Sequence, residues 1–202
     1  MTDDAPFLLD VTRLIWRRWK GRHPTGIDRV CLAYLNHFAG CAQAVVHHKL
    51  FRRILDREAS RELFALLEES PQHFRRKLPI GILRNLNRLN CAGRNRLYLN
   101  IGHTGLNSVG FRRWVARTNV RPVYLVHDLI PITHPEFCRA GEREKHRERM
   151  RTILSTAVGV IGNSQATLDE LAGFANEERL PVPPGLAAWL GSDALPKPTG
   201  SQ

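Results

Sequence analysis

The stretch "PVYLV" (122–126) is apolar on consecutive residues. A strand sends successive side chains to opposite faces, so such a run needs cover on both. Helices alternating with strands supply that cover, and the chain has this rhythm. "FLLDV" (7–11), "QAVVHH" (43–48), "LYLNIG" (97–102) and "VGVIGNS" (158–164) read as further strands. In "TGIDRVCLAYLNHF", Ile27, Val30, Cys31, Tyr34, Leu35 and Phe38 share one face at helical spacing, and Thr25 with Asp28 forms a helix-start signal. "RELFALLEES" (61–70), "NSVGFRRWVART" (107–118), "EREKHRERMRTILSTA" (142–157) and "QATLDELAGFA" (165–175) also read as helices, with Pro71 ending the first. Residues 72–95 show no clear period.

The expected fold class is α/β: a single Rossmann-like, doubly wound parallel sheet of five or six strands over residues 1–179. From Leu180 onward, "LPVPPGLAAWLGSDALPKPTGSQ" holds five of the twelve prolines and reads as a linker or tail, 180–202. At 202 residues with 43% hydrophobic content the chain can bury a core. It contains no apolar run of 18 residues, and its start lacks the basic and apolar regions of a signal peptide. Cys31, Cys41, Cys91 and Cys138 are scattered without a C-x-x-C pair, which disfavours a zinc site or disulfide framework and suggests a cytoplasmic setting.

The net charge of +11 is concentrated. No Asp or Glu lies between Ser70 and His127, whereas eleven Arg or Lys do, from Arg75 to Arg121. Such a segment is expected to attract phosphates, an anionic membrane surface or nucleic acid, or to be a solvated surface. Nucleic acid is the less favoured partner, since the segment has few aromatics and no binding motif.

In an open parallel sheet, ligands bind beyond the carboxyl ends of the strands. There the sequence puts Arg13 and a basic loop ending at Thr25-Gly26, then His103, then His127 and Asp128, then Asn163 and Ser164. The helix start at Gly26 would offer free N–H groups to an anion. Each position has a structural alternative: a helix start for Thr25 and Gly26, a cap for Asn163 and Ser164, a turn for His103, and a buried hydrogen bond for His127. His47 and His48 alternate across a strand and cannot share an ion. His134 and His127 lack a third ligand at sensible spacing, so no metal is expected. A hydrolase built on His127 and Asp128 lacks a G-x-S-x-G elbow.

"DVTRLIWRRWKGRHPTGIDRVCLAYL", "NIGHTGL", "VYLVHDLIPITHPEF" and "VGVIGNSQATLDEL" resemble the first domain of a family 4 glycosyltransferase. The resemblance runs from Asp10 to about Gly191. It implies the GT-B architecture, two Rossmann-like domains facing across a cleft, and sugar transfer from a nucleotide-sugar donor with retention and without a metal or other cofactor. The first domain would bind a glycan or lipid-linked acceptor, at the inner membrane face where a membrane is involved. His127 would hydrogen-bond the reacting sugar or back the transition-state charge, and Asp128 would orient His127 or its loop. Thr25, Gly26, Arg13, His103, Asn163 and Ser164 would line the substrate site. The second domain, on this chain or another, would carry the donor-gripping pair of glutamates with seven intervening residues. That spacing occurs at Glu136/Glu144 and Glu170/Glu178, where it reads as chance. The first domain alone is not expected to turn over.

Overall fold

The computed structural model describes residues 5–48, 51–85 and 93–191, with 79–85 described as backbone only. Cys91, Arg88, Pro196 and Pro198 lie outside the described residues, as does the Arg84 side chain. Among the described residues, seven strands form one sheet in the order β3-β2-β1-β4-β5-β6-β7. They are β1 (Phe7–Asp10), β2 (Ala42–His48), β3 (Phe51–Ile54), β4 (Leu97–Asn100), β5 (Arg121–Val126), β6 (Gly159–Gly162) and β7 (Gly185–Ala187). All neighbours run parallel except β2 and β3, which pair antiparallel from His48 and Phe51 outward. The fold is a Rossmann-like α/β domain with one antiparallel edge. A parallel partner for β2 would need a long crossover, whereas two residues (49–50) separate it from β3.

The described helices are α1 (Thr12–Lys20), α2 (Gly26–Phe38), α3 (Arg57–Glu68), α4 (Pro71–Asn85), α5 (Phe111–Thr118), α6 (Ile130–Thr133), α7 (Glu142–Thr156) and α8 (Gln165–Glu178). The consecutive apolar residues divide between two cores as the strand period requires. Leu8, Val45, Tyr98, Tyr124 and Val126 pack with α5 to α8, and Leu9, Ala44, Leu99 and Leu125 pack with α1 to α4. Cys31, Cys41 and Cys138 are free, and burial pushes the Cys31 thiol up to about 12.

Three expectations need correction. The stretch after β1 is helix α1, not a basic loop; five cations in and just after it hide its period. Residues 71–85 form α4, because Phe74 and Leu78 bury against the α1-to-α4 core. The segment from Leu180 is not only a tail. Val160 N–H donates to the Pro184 carbonyl at 2.9 Å and Ala188 N–H to the Gly162 carbonyl at 2.8 Å, which builds β7 onto the sheet.

The described part of the basic segment does not form one face. Arg96 is buried, its guanidinium bonded to Gln43 and to the Ala5 and Gly93 carbonyls. Arg112 pairs with Glu148, and Lys77 with Glu69. Arg75 to Lys77 lie on α4 and Arg112 to Arg117 on α5, on opposite sides of the sheet.

Candidate functional site

From β1 the chain winds first toward β2 and then returns to place β4 on the other side of β1. The crevice at such a reversal is where open α/β sheets bind ligands. A cleft of about 590 Å³ opens there, lined by α1, by the loops after β4 and β5, and by α7. Its size is that of a small-molecule site.

Arg13 enters from the first turn of α1. Its side chain lies over Gly102, where an added Cβ would sit 2.7 Å from Arg13 Cδ. Glycine at 102 is what lets α1 approach β4 this closely. Asp28, 1% exposed, holds the arrangement: it accepts Arg13 Nε and Arg17 Nε at 2.6 Å each, and the Thr25 N–H and hydroxyl at 2.7 Å each. Burial raises its pKa, but the Thr25 and Arg13 hydrogen bonds outweigh this and hold it below the ordinary value. α1 stops at Gly21, whose φ of 60° is left-handed.

Three imidazoles line the cleft. His103 follows β4, His127 follows β5, and His146 projects from α7. The His103 ring centroid lies 5.4 Å from that of His127 and 6.2 Å from that of His146. Each Nε2 faces a backbone carbonyl: Leu125 at 2.7 Å, Ile101 at 2.8 Å and Asp128 at 3.1 Å. A carbonyl only accepts, so each Nε2 carries its proton and each neutral ring keeps Nδ1 as an acceptor. Burial lowers all three pKa values, that of His103 to about 3, with His127 and His146 adding to the shift. His103 also has φ 55°, a left-handed conformation that costs a side-chain-bearing residue roughly 1 kcal/mol. Such strain clusters at functional sites. Among the described residues no group of three or more His, Cys, Asp or Glu could hold a metal.

Four of the eight residues expected from sequence meet in the cleft: Arg13, His103, His127 and Asp128. Asp128 orients the loop rather than His127. Its carboxylate accepts the Ile130 N–H at 3.2 Å, and its carbonyl holds His146. His127 cannot donate to a ligand while neutral, because Ile101 takes its only N–H. The other four residues stay out of the lining. The Thr25 N–H and hydroxyl are used by Asp28 in the capping box of α2, and Gly26 is exposed with open space around it. Asn163 and Ser164 share the rim through the β5–β6 register, but they cap α8. Ser164 Oγ accepts the Thr167 N–H at 3.2 Å, and Asn163 Oδ1 accepts the Thr167 hydroxyl at 2.8 Å.

Sequence reasoning missed Trp16, Arg17, Lys20, Arg22, His146 and Arg149. His146 left a trace: it shares a helical face with Met150 and Ile153, the apolar side of an otherwise charged helix. Glu178 binds Arg147 and Arg151, tying α8 to α7, so the 170/178 spacing belongs to helix packing.

A Rossmann-like domain with a basic, histidine-lined cleft at its switch point is the class that fold and site define. Comparison with protein families, with curated proteins and with solved structures finds no match.

Proposed function

We propose that this chain supplies the acceptor-side half of a retaining glycosyltransferase, with a nucleotide-sugar-binding domain facing the rim that carries the cleft. The observation that carries the reading is His127. Its buried, neutral ring is fixed to the Ile101 carbonyl at the switch point, with Nδ1 free to accept from a sugar hydroxyl. A preorganised acceptor orients the reacting sugar without reorganising during the reaction. The resemblance of "HDLIPITHPEF" and its surroundings to family 4 enzymes supports the same role. No helix among the described residues is long and apolar enough to cross a membrane. We place the domain in the cytoplasm, against the inner membrane face when the acceptor is lipid-linked.

The test is transfer of labelled hexose from nucleotide sugars to a glycan or lipid-linked acceptor, with a donor-binding domain supplied in trans. Transfer by wild type, and its loss in His127→Ala at matched protein level, is the expected result. Equal transfer by both, or none with any donor, removes the reading. The rival, an anionic-surface or nucleic-acid module acting through residues 72–121, is weakened because its charges fall on both sides of the sheet.

A further inference from the structure

The cations that converge in space are not those that cluster in sequence. Arg13 and Arg17 share the one carboxylate of Asp28. Lys20, Arg22 and Arg149 line the same cleft and have no ion pair among the described residues. The Lys20 ammonium lies 5.7 Å from the Trp16 ring centroid. The Arg149 Nε is buried with no hydrogen-bond partner. With Nε shut off from solvent, a ligand in the cleft would meet this guanidinium through its Nη groups. Asp128 is the only acid among the described residues of the lining.

We propose that this cleft seats a diphosphate ester, held by Arg149 together with Lys20 and Arg22, whose sugar hydroxyls reach the imidazole Nδ1 atoms. One carboxylate would leave most of this positive charge uncompensated, whereas a diphosphate matches it and offers several oxygens to guanidinium donors. The histidines complete the match: their N–H groups are used by main-chain carbonyls, so what they offer a ligand is lone pairs, which hydroxyls can fill. The inference deepens the transferase reading, on which it rests for making the diphosphate part of the acceptor.

Trp16 reports on the cleft directly. Inorganic pyrophosphate titrated into the full chain at low salt is expected to change tryptophan emission saturably, and Trp16→Phe to remove the change. Arg149→Ala is expected to weaken binding about tenfold or more, as for loss of a hydrogen bond to a charged group. The exposed double variant Lys20→Ala/Arg22→Ala should weaken it too, and tests the assignment even if Arg149→Ala folds poorly. Arg121→Ala, an equal charge loss at the opposite end of β5, should leave affinity within about twofold. Absence of saturable binding, or equal weakening by Arg121→Ala, overturns the assignment. UDP in solution and a polyprenyl diphosphate in neutral vesicles then compete with pyrophosphate. Competition by either supports the site and names the ligand's source; competition by neither overturns it. Pyrophosphate binding without sugar transfer removes only the transferase reading, and transfer without pyrophosphate binding removes only this inference.

Discussion

His127 sits deeper than a rim position implies, at 7% exposure. His127→Ala should therefore do two things. Transfer in the reconstituted enzyme should fall about 10²–10³-fold, the usual effect of losing a preorganised polar group. Stability should fall by about 1–3 kcal/mol, because the Ile101 carbonyl loses its partner. Urea unfolding separates the two effects, and a fully stable variant would contradict the second. His103 predicts a pH dependence. Its imidazole titrates near 3 when folded, against roughly 6.5 in the unfolded chain. Between those values the unfolded chain binds more protons, so the stability is full above about pH 6.5 and drains as pH falls toward 3. His127 and His146 shift the same way. Unfolding free energies at pH 7 and pH 5 should differ, and His103→Asn, which tolerates the left-handed backbone, should shrink the difference. An unchanged difference would detach the effect from this cluster.

Beside the burial of Leu14 in the core, two contacts position helix α1 at the cleft. Asp28 ties Arg13 and Arg17 to the start of α2, and Gly102 lets Arg13 lie against β4. Asp28→Ala should cost about 3–5 kcal/mol, since it leaves two partly buried guanidiniums without their carboxylate and removes the N3 arm of the α2 capping box. Gly102→Ala should cost about 1–3 kcal/mol by overpacking against Arg13. Chemical denaturation measures both. A neutral Gly102→Ala would mean that Arg13 moves aside freely, and the cleft wall would then be softer than described.

Across the whole molecule, the sheet extends further than composition suggests. Truncation before Pro184 should strip β7 from β6, leave the ladder hydrogen bonds of β6 on that side unmade and lower the thermal midpoint. An unchanged midpoint would return residues 180–191 to the status of a tail. Charge behaves differently from what its placement along the chain suggests. The run from Arg75 to Arg121 spreads over α4, a buried Arg96 and α5, whereas Lys20 and Arg22 gather with Arg149 from 127 residues further along than Arg22. Binding to anionic vesicles should weaken with salt, and more on neutralising Lys20 and Arg22 than on neutralising Arg113 and Arg117. The reverse order would restore the segment as the docking surface.

What the sequence determined is local. Consecutive apolar residues at 97–99 and 123–126 demand cover on both faces, and helical spacing at Ile27 to Phe38 supplies some of it. Those periods suffice for an α/β class, a parallel sheet, and a rim carrying Arg13, His103, His127 and Asp128. The edges were not legible: β3 and β7 are short strands whose pairing depends on neighbours rather than on propensity. Nor was the use of each polar group. Whether Thr25, Asn163 and Ser164 face a ligand or a helix end depends on which donors lie within 3 Å or so, and Asp28 and Thr167 supplied partners from three or four residues away. Only the folded chain brings His146 and Arg149 from α7 against His103 and the cations of α1, because those meetings span from 43 to more than a hundred residues and leave no period behind them.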